Sequence, residues 1–177
     1  MTVPEFSRPE RIDTIGEGER EIAVSASPEE RQALALRFGL KAVDRLEGMF
    51  RIRRDAAGVV ARGRVMAEVV QSCVVTDEPL PVSVDEPVAL RFVAEGEPES
   101  DEVELSEDAL DTMSFDGAAI DLGEAAADTM ALALDPFPRG PNAAVVLKEA
   151  GVISEEEAKP LGALAGLAAL KAKLEKR

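Results

Sequence analysis

The chain has 177 residues, a formal net charge of −15, a single Cys and no His, Trp or Tyr. A Cys/His zinc site, a Cys–His catalytic dyad and an intramolecular disulfide all need more Cys or His than this. Six Phe are the only aromatic residues, which argues against platforms for stacking nucleic-acid bases.

The beginning of the chain shows no signal-peptide pattern, and no stretch approaches the roughly 20 apolar residues of a membrane helix. A lone thiol is typical of the reducing cytoplasm. We therefore expect a soluble, cytoplasmic protein with no membrane partner.

Helix and strand signals alternate clearly in the first part of the chain. Arg20–Ser25 alternates like an edge strand. Ser27 is a typical N-cap, followed by Pro and, three residues after the cap, by Glu30. This pattern predicts a helix over 28–38, which Gly39 ends.

The centre of the chain is rich in strand signals. Phe50–Arg53 alternates with a period of two, Asp55–Gly58 has the composition of a hairpin loop, and Val59–Val70 alternates again over a long stretch. Val88–Val93 predicts a further strand, and Pro87 marks either a sheet edge or a break.

In the last part, Asp121 and Glu124 have the spacing of a helix cap, which predicts a helix over 122–134. Asp135-Pro136 ends it, because the residue before a proline disfavours the helical region. Leucines recur at three- and four-residue steps after Pro160, which indicates a terminal helix.

Together these elements predict an α+β fold in which helices flank an antiparallel sheet, with a partial barrel as the curled form of that sheet. Three regions are expected. Residues 1–26 are a polar segment with one edge strand, 27–139 form a single domain that contains a mobile acidic loop at 94–102, and 140–177 form an extension that ends in the terminal helix.

The cysteine and the arginines are the first candidate functional residues. Cys73 is interpreted as a buried structural residue, because the chain offers no His or second Cys to make it a nucleophile or a metal ligand. Four arginines near the hairpin could share one face: Arg51, Arg53, Arg62 and Arg64. The simpler interpretation is that they solvate the outer sheet face and pair with the chain's own acids, and RNA phosphate is the main alternative.

The acidic residues are the second candidate surface. Residues 94–138 contain fourteen acidic residues and no Lys or Arg, and their spacing does not match a calcium loop. Solubility is the simplest explanation, and attraction of a basic protein is the functional one. The candidate partner surface comprises Glu95, Glu97, Glu99, Asp101 and Glu102.

Three blocks resemble the bacterial YceD family, which is named for accumulation of large-subunit ribosomal RNA, and are closest to its alphaproteobacterial members. The blocks are Ala67–Pro79, Asp116–Glu124 followed by Ala131–Arg139, and Pro160–Lys171. The residues that carry the resemblance are Gln71, Cys73, Thr76, Glu78, Pro79, Asp116, Gly117, Asp121, Leu122, Glu124, Pro136, Pro138 and Arg139.

The resemblance implies a non-enzymatic role in 23S rRNA accumulation and large-subunit assembly. Many relatives have a Cys-x-x-Cys pair where this chain has Cys73-Val-Val-Thr76, so no metal site is transferred. No G-x-G-x-x-G, Walker or G-x-S-x-G motif is present, and we expect no enzyme activity, cofactor or small-molecule substrate.

Two modes of action follow. The net charge favours binding to a basic ribosomal protein or assembly factor through the acidic region, because a protein of charge −15 repels RNA at long range. The alternative is direct binding to 23S rRNA through the basic hairpin.

Overall fold

A computed structural model describes residues 4–94, 110–115 and 117–153. In these ranges an open five-stranded sheet has the order β2-β3-β4-β5-β6, and β1 pairs with β7 in a second, small sheet. The strands are β1 (Pro9–Arg11), β2 (Arg20–Ser25), β3 (Ala42–Asp55), β4 (Gly58–Ser72), β5 (Pro79–Ala94), β6 (Asp111–Phe115) and β7 (Ala119–Asp121). The predicted α+β class is confirmed, and the sheet does not close into a barrel.

The first helix, α1 (Pro28–Phe38), has the predicted bounds. The Ser27 hydroxyl accepts from the N–H of Glu30 at 3.3 Å, and the Glu30 carboxylate accepts from the N–H of Ser27 at 2.7 Å. Gly39 ends the helix at φ 65°, a left-handed conformation that glycine adopts without strain.

The second helix, α2 (Leu122–Leu132), is two residues shorter than predicted. A 3-10 turn (Ile12–Thr14) and a short helix, α3 (Ala143–Glu149), were not predicted. None of the described helices is long and apolar enough to cross a membrane.

The long β3–β4 hairpin forms as predicted, with Asp55 paired to Gly58 across a two-residue loop. Alternate residues of both strands are buried against the core. The strands approach so closely at Gly63 that a Cβ atom there would lie 1.9 Å from the carbonyl oxygen of Met49. Only glycine therefore fits this position.

The next strand is longer than the predicted Val88–Val93, and Pro87 lies at a sheet edge, which is one of its two predicted positions. β5 runs through Pro87 without a break and pairs with β4 from Pro79 to Phe92. On the side of β5 away from β4, β6 pairs in parallel with Leu90–Ala94 only. No described strand lies on that side of residues 79–89. Pro87 is tolerated because its missing N–H is not needed at a free edge.

The core lies between the inner face of the large sheet and the two longer helices. Helix α2 is closely packed, because the small side chains of Ala125, Ala126 and Ala127 are all buried together with Met130. The N-terminal segment also contributes, because Phe6 is fully buried in the same cluster.

Some predictions lie outside the described residues. These are the acidic loop at 94–102 beyond its first residue, and the terminal helix after Pro160.

Candidate functional site

The four candidate arginines lie on the outer face of the β3–β4 hairpin. Arg51 is directly opposite Arg62, Arg53 is opposite Val60 and Arg64 is opposite Met49. Directly opposite residues of an antiparallel pair project from the same face, with Cβ atoms about 4.5–5.5 Å apart. The hairpin thus brings together all four arginines, which we call the arginine face.

A fifth arginine joins this face from the neighbouring strand. Arg91 of β5 is paired with Val60, which is itself paired with Arg53. Sequence reasoning missed Arg91 because its face depends on the β4–β5 register. The sequence did contain a signal for its face: Val88, Leu90 and Phe92 alternate and are all buried, so Arg91 projects from the opposite face.

The described acidic residues neutralise only part of the arginine face. Arg64 pairs with Asp85 at 2.7 Å, and Arg91 pairs with Asp55 at 2.9 Å. Partial burial opposes ionisation of Asp55, yet hydrogen bonds from Arg91 and the N–H of Ala57 hold its pKa below the ordinary value.

The remaining arginines form no ion pair with any described residue: Arg51, Arg53 and Arg62. Arg51 and Arg62 are both exposed. Like charges directly opposite each other on a sheet are destabilising, so an anion bound between them would relieve repulsion. On the other side of Arg51, its cross-strand neighbour in β2 is Glu21, which limits the local positive charge.

A shallow depression of about 250 Å³ lies on this face, lined by Arg51 and Arg64 with Glu21 and Met49 among its other residues. Guanidinium groups bind phosphate oxygens in a bidentate manner. The arrangement is therefore chemically suited to a phosphate group.

A second group of candidate residues joins the β4–β5 turn to the segment after α2. The amide of Gln71, which is only 7% exposed, donates to the carbonyl of Asp135 at 2.9 Å. The N–H of Val74 donates to the carbonyl of Pro138 at 2.9 Å, and Asn142 donates to the Glu78 carboxylate at 2.8 Å.

Cys73 is buried at the centre of this junction. Its sulfur accepts the N–H of Gly140 at 3.3 Å, and its own N–H donates to the carbonyl of Glu78 at 2.9 Å. The hydrogen bond from Gly140 and that from the Thr76 hydroxyl lower the pKa of the thiol to about 7. Thr76 also donates to the Glu78 carboxylate at 3.0 Å, and its single proton serves one acceptor at a time.

A cavity of about 570 Å³ adjoins the junction, and its lining includes Gln71, Cys73, Pro136 and Pro138. Arg139, the residue after Pro138, is exposed. Within the described ranges, no three Cys, Asp or Glu side chains are grouped so as to hold a metal ion.

A third group surrounds the start of α2. Asp121 accepts hydrogen bonds from the N–H groups of Gly123 at 2.9 Å and Glu124 at 3.1 Å. Leu122 is fully buried, and Glu124 binds Arg37 of α1 at 2.7 Å.

The family-motif residues are thus divided between two places, the Cys73 junction and the α2 start. Pro79 opens β5, Gly117 has a left-handed φ of 97° before β7, and Asp116 lies outside the described residues. The five candidate acids from Glu95 to Glu102 also lie outside them.

Comparison with known proteins gives one match. The model of a family described as "Large ribosomal RNA subunit accumulation protein YceD" matches residues 61–171, well over half of the chain. No curated protein and no solved structure matches. The matched range includes Arg62, Arg64 and Cys73, whereas Arg51 and Arg53 precede it.

Proposed function

The chain belongs to the YceD family, and from this premise we propose that it is a non-enzymatic factor for accumulation of 23S rRNA and assembly of the large ribosomal subunit. The description of the family supports the link to large-subunit RNA. The absence of His and the single Cys support a binding role over a catalytic one.

The arginine face supports direct contact with RNA phosphates as its mode of action. The observation that carries this proposal is the pairing of two exposed arginines, Arg51 and Arg62, directly across the hairpin. Neither forms an ion pair with a described residue, so both guanidinium groups can bind an anion without first breaking a salt bridge. The local charge acts at short range, where it can offset the long-range repulsion of the whole protein.

The test is a salt titration of binding to labelled 23S rRNA fragments, followed by fluorescence anisotropy. Replacing both residues (Arg51→Gln with Arg62→Gln) should weaken binding and reduce the slope of log K against log salt by about 1.4, since each phosphate contact to a single strand contributes about 0.7.

The matched control is the pair Arg20→Gln with Arg45→Gln, which changes net charge equally but alters arginines paired with Glu10 and Glu47. It should leave the slope unchanged. Equal losses in both variants, or no salt-sensitive binding by the wild type, would contradict RNA contact through the arginine face.

Binding of a basic ribosomal protein or assembly factor is the second candidate mode. The net charge of −15 and the fourteen acids of residues 94–138 favour it. A pull-down should recover basic ribosomal proteins, and neutralising the five acids from Glu95 to Glu102 should reduce the recovery. Recovery that is unchanged by this neutralisation would count against these acids as the contact.

A further inference from the structure

A groove of about 590 Å³ separates α2 from β5 and β6. Its apolar floor includes Val88 and Ala125, which are buried, and Met113, which is partly buried against the core. Leu132, at the end of α2, lines the groove and is 87% exposed. A large exposed leucine beside an apolar cavity offers surface that a partner can cover. We call this region the α2 groove.

The charged residues that line the α2 groove are all acidic: Glu86, Asp111 and Asp128. Charge complementarity therefore selects a cationic partner and disfavours nucleic acid. Glu86 and Asp111 are exposed, so a partner can reach both carboxylates from solvent.

Among the described residues, the cation that pairs with Asp128 is already shared. Arg37 lies 3.3 Å from Asp128, and it also binds Glu124 at 2.7 Å and Glu5 at 3.0 Å. One guanidinium thus serves three carboxylates and leaves negative charge uncompensated. Burial, together with Glu124, raises the pKa of Asp128 despite the opposing effect of Arg37.

The backbone at the groove does not suit addition of a strand. The β5 edge here contains Pro87, which has no N–H to donate. A ligand is therefore expected to bind through its side chains, by filling the apolar floor and meeting the acids.

We propose that the α2 groove binds an extended segment of a basic protein. An apolar side chain of the partner packs against Leu132 and Met113, and a flanking Lys or Arg meets Asp128 and Asp111. This inference rests on the second candidate mode of the proposed function, and it assigns that mode a binding site among the described residues.

The test uses two peptides, Lys-Lys-Leu-Lys-Lys and Lys-Lys-Ser-Lys-Lys, titrated into the ¹⁵N-labelled full chain and followed by NMR. The leucine peptide should shift the amide signals of the groove and bind about tenfold more tightly than the serine peptide, because partial burial of its leucine side chain stabilises the complex. Leu132→Ser should abolish this difference, whereas Leu36→Ser, at a leucine that is 85% exposed outside the groove, should preserve it.

Charge is tested separately. Asp128→Asn should weaken binding of the leucine peptide several-fold, whereas Asp13→Asn, with the same change in net charge at a residue that does not line the groove, should not. Far-UV circular dichroism checks that each variant is folded.

Four results would overturn the inference: no binding at millimolar peptide, equal affinity for both peptides, signal changes outside the groove, or equal effects of the two Asp variants. A 23S rRNA fragment that shifts the groove signals would overturn it too. Failure here leaves the arginine-face titration unaffected, because the groove variants retain all five of its arginines.

Discussion

Asp121 is the residue whose removal most directly tests how the N-terminal segment is held to the domain. One carboxylate oxygen accepts the N–H groups of Gly123, Glu124 and Arg8, the last at 2.8 Å, and the other accepts the Ser7 hydroxyl. Asp121→Ala removes all four hydrogen bonds at once.

The expected loss in the free energy of unfolding follows from these contacts. Loss of the helix cap costs about 1 kcal/mol. The two bonds to the N-terminal segment add about 2 kcal/mol, since hydrogen bonds to charged groups contribute about 1.5–3 kcal/mol each but are not additive within one network. We expect Asp121→Ala to lower the free energy of unfolding by about 3 kcal/mol and the Tm by about 6–12 °C.

Urea unfolding should be followed by far-UV circular dichroism, because the chain has no Trp or Tyr for fluorescence. Asp121→Asn, which retains an acceptor oxygen, should lose less. Asp13→Ala removes an exposed carboxylate that pairs with Arg11, and because solvent screens this pair the change should have little effect on stability. The reasoning is refuted if Asp121→Ala costs no more than this control.

Three further changes test the fold and the junction. Gly63→Ala should destabilise by more than about 3 kcal/mol, because its Cβ would meet the Met49 carbonyl, whereas Gly16→Ala, with open space around it, should be tolerated in the same urea assay. The ultraviolet absorbance of the Cys73 thiolate should appear with a midpoint near pH 7 in the folded chain and at a higher pH in the unfolded chain. Because the folded pKa is the lower one, the free energy of unfolding should rise with pH between about 7 and the unfolded value of 9.0 and then level off, and Cys73→Ser should abolish that rise. Ser27→Ala should cost about 1 kcal/mol through loss of the capping box, and an equal stability of this variant and the wild type would contradict the cap.

Elements with strong local signals were predictable from the sequence. The capping box of Ser27 and the alternation of β4 depend on neighbouring residues, and both elements form as predicted. Elements that form only through long-range strand pairing had weak local signals and were not predictable. β1 and β7 have three residues each, and β6 depends on a parallel partner, so their own sequences give too little periodicity to identify them.

The residues of the candidate site also fall into those that the sequence could group and those that it could not. A hairpin with alternating arginines places them on one face, so the sequence was enough to group Arg51 with Arg62. The contribution of Arg91 and the sharing of Arg37 among three acids depend on strand register and helix packing, which no local pattern encodes.

The contact between Ser7 and Asp121 joins residues 114 positions apart, and this separation has a consequence for synthesis. At roughly 5–20 residues per second, a ribosome needs about 6–23 s to reach Asp121 after it has made Ser7. During this interval Phe6 cannot complete its packing in the core, because α2 is not yet made. The nascent chain therefore leaves the Phe6 side chain accessible to chaperones until α2 has been made.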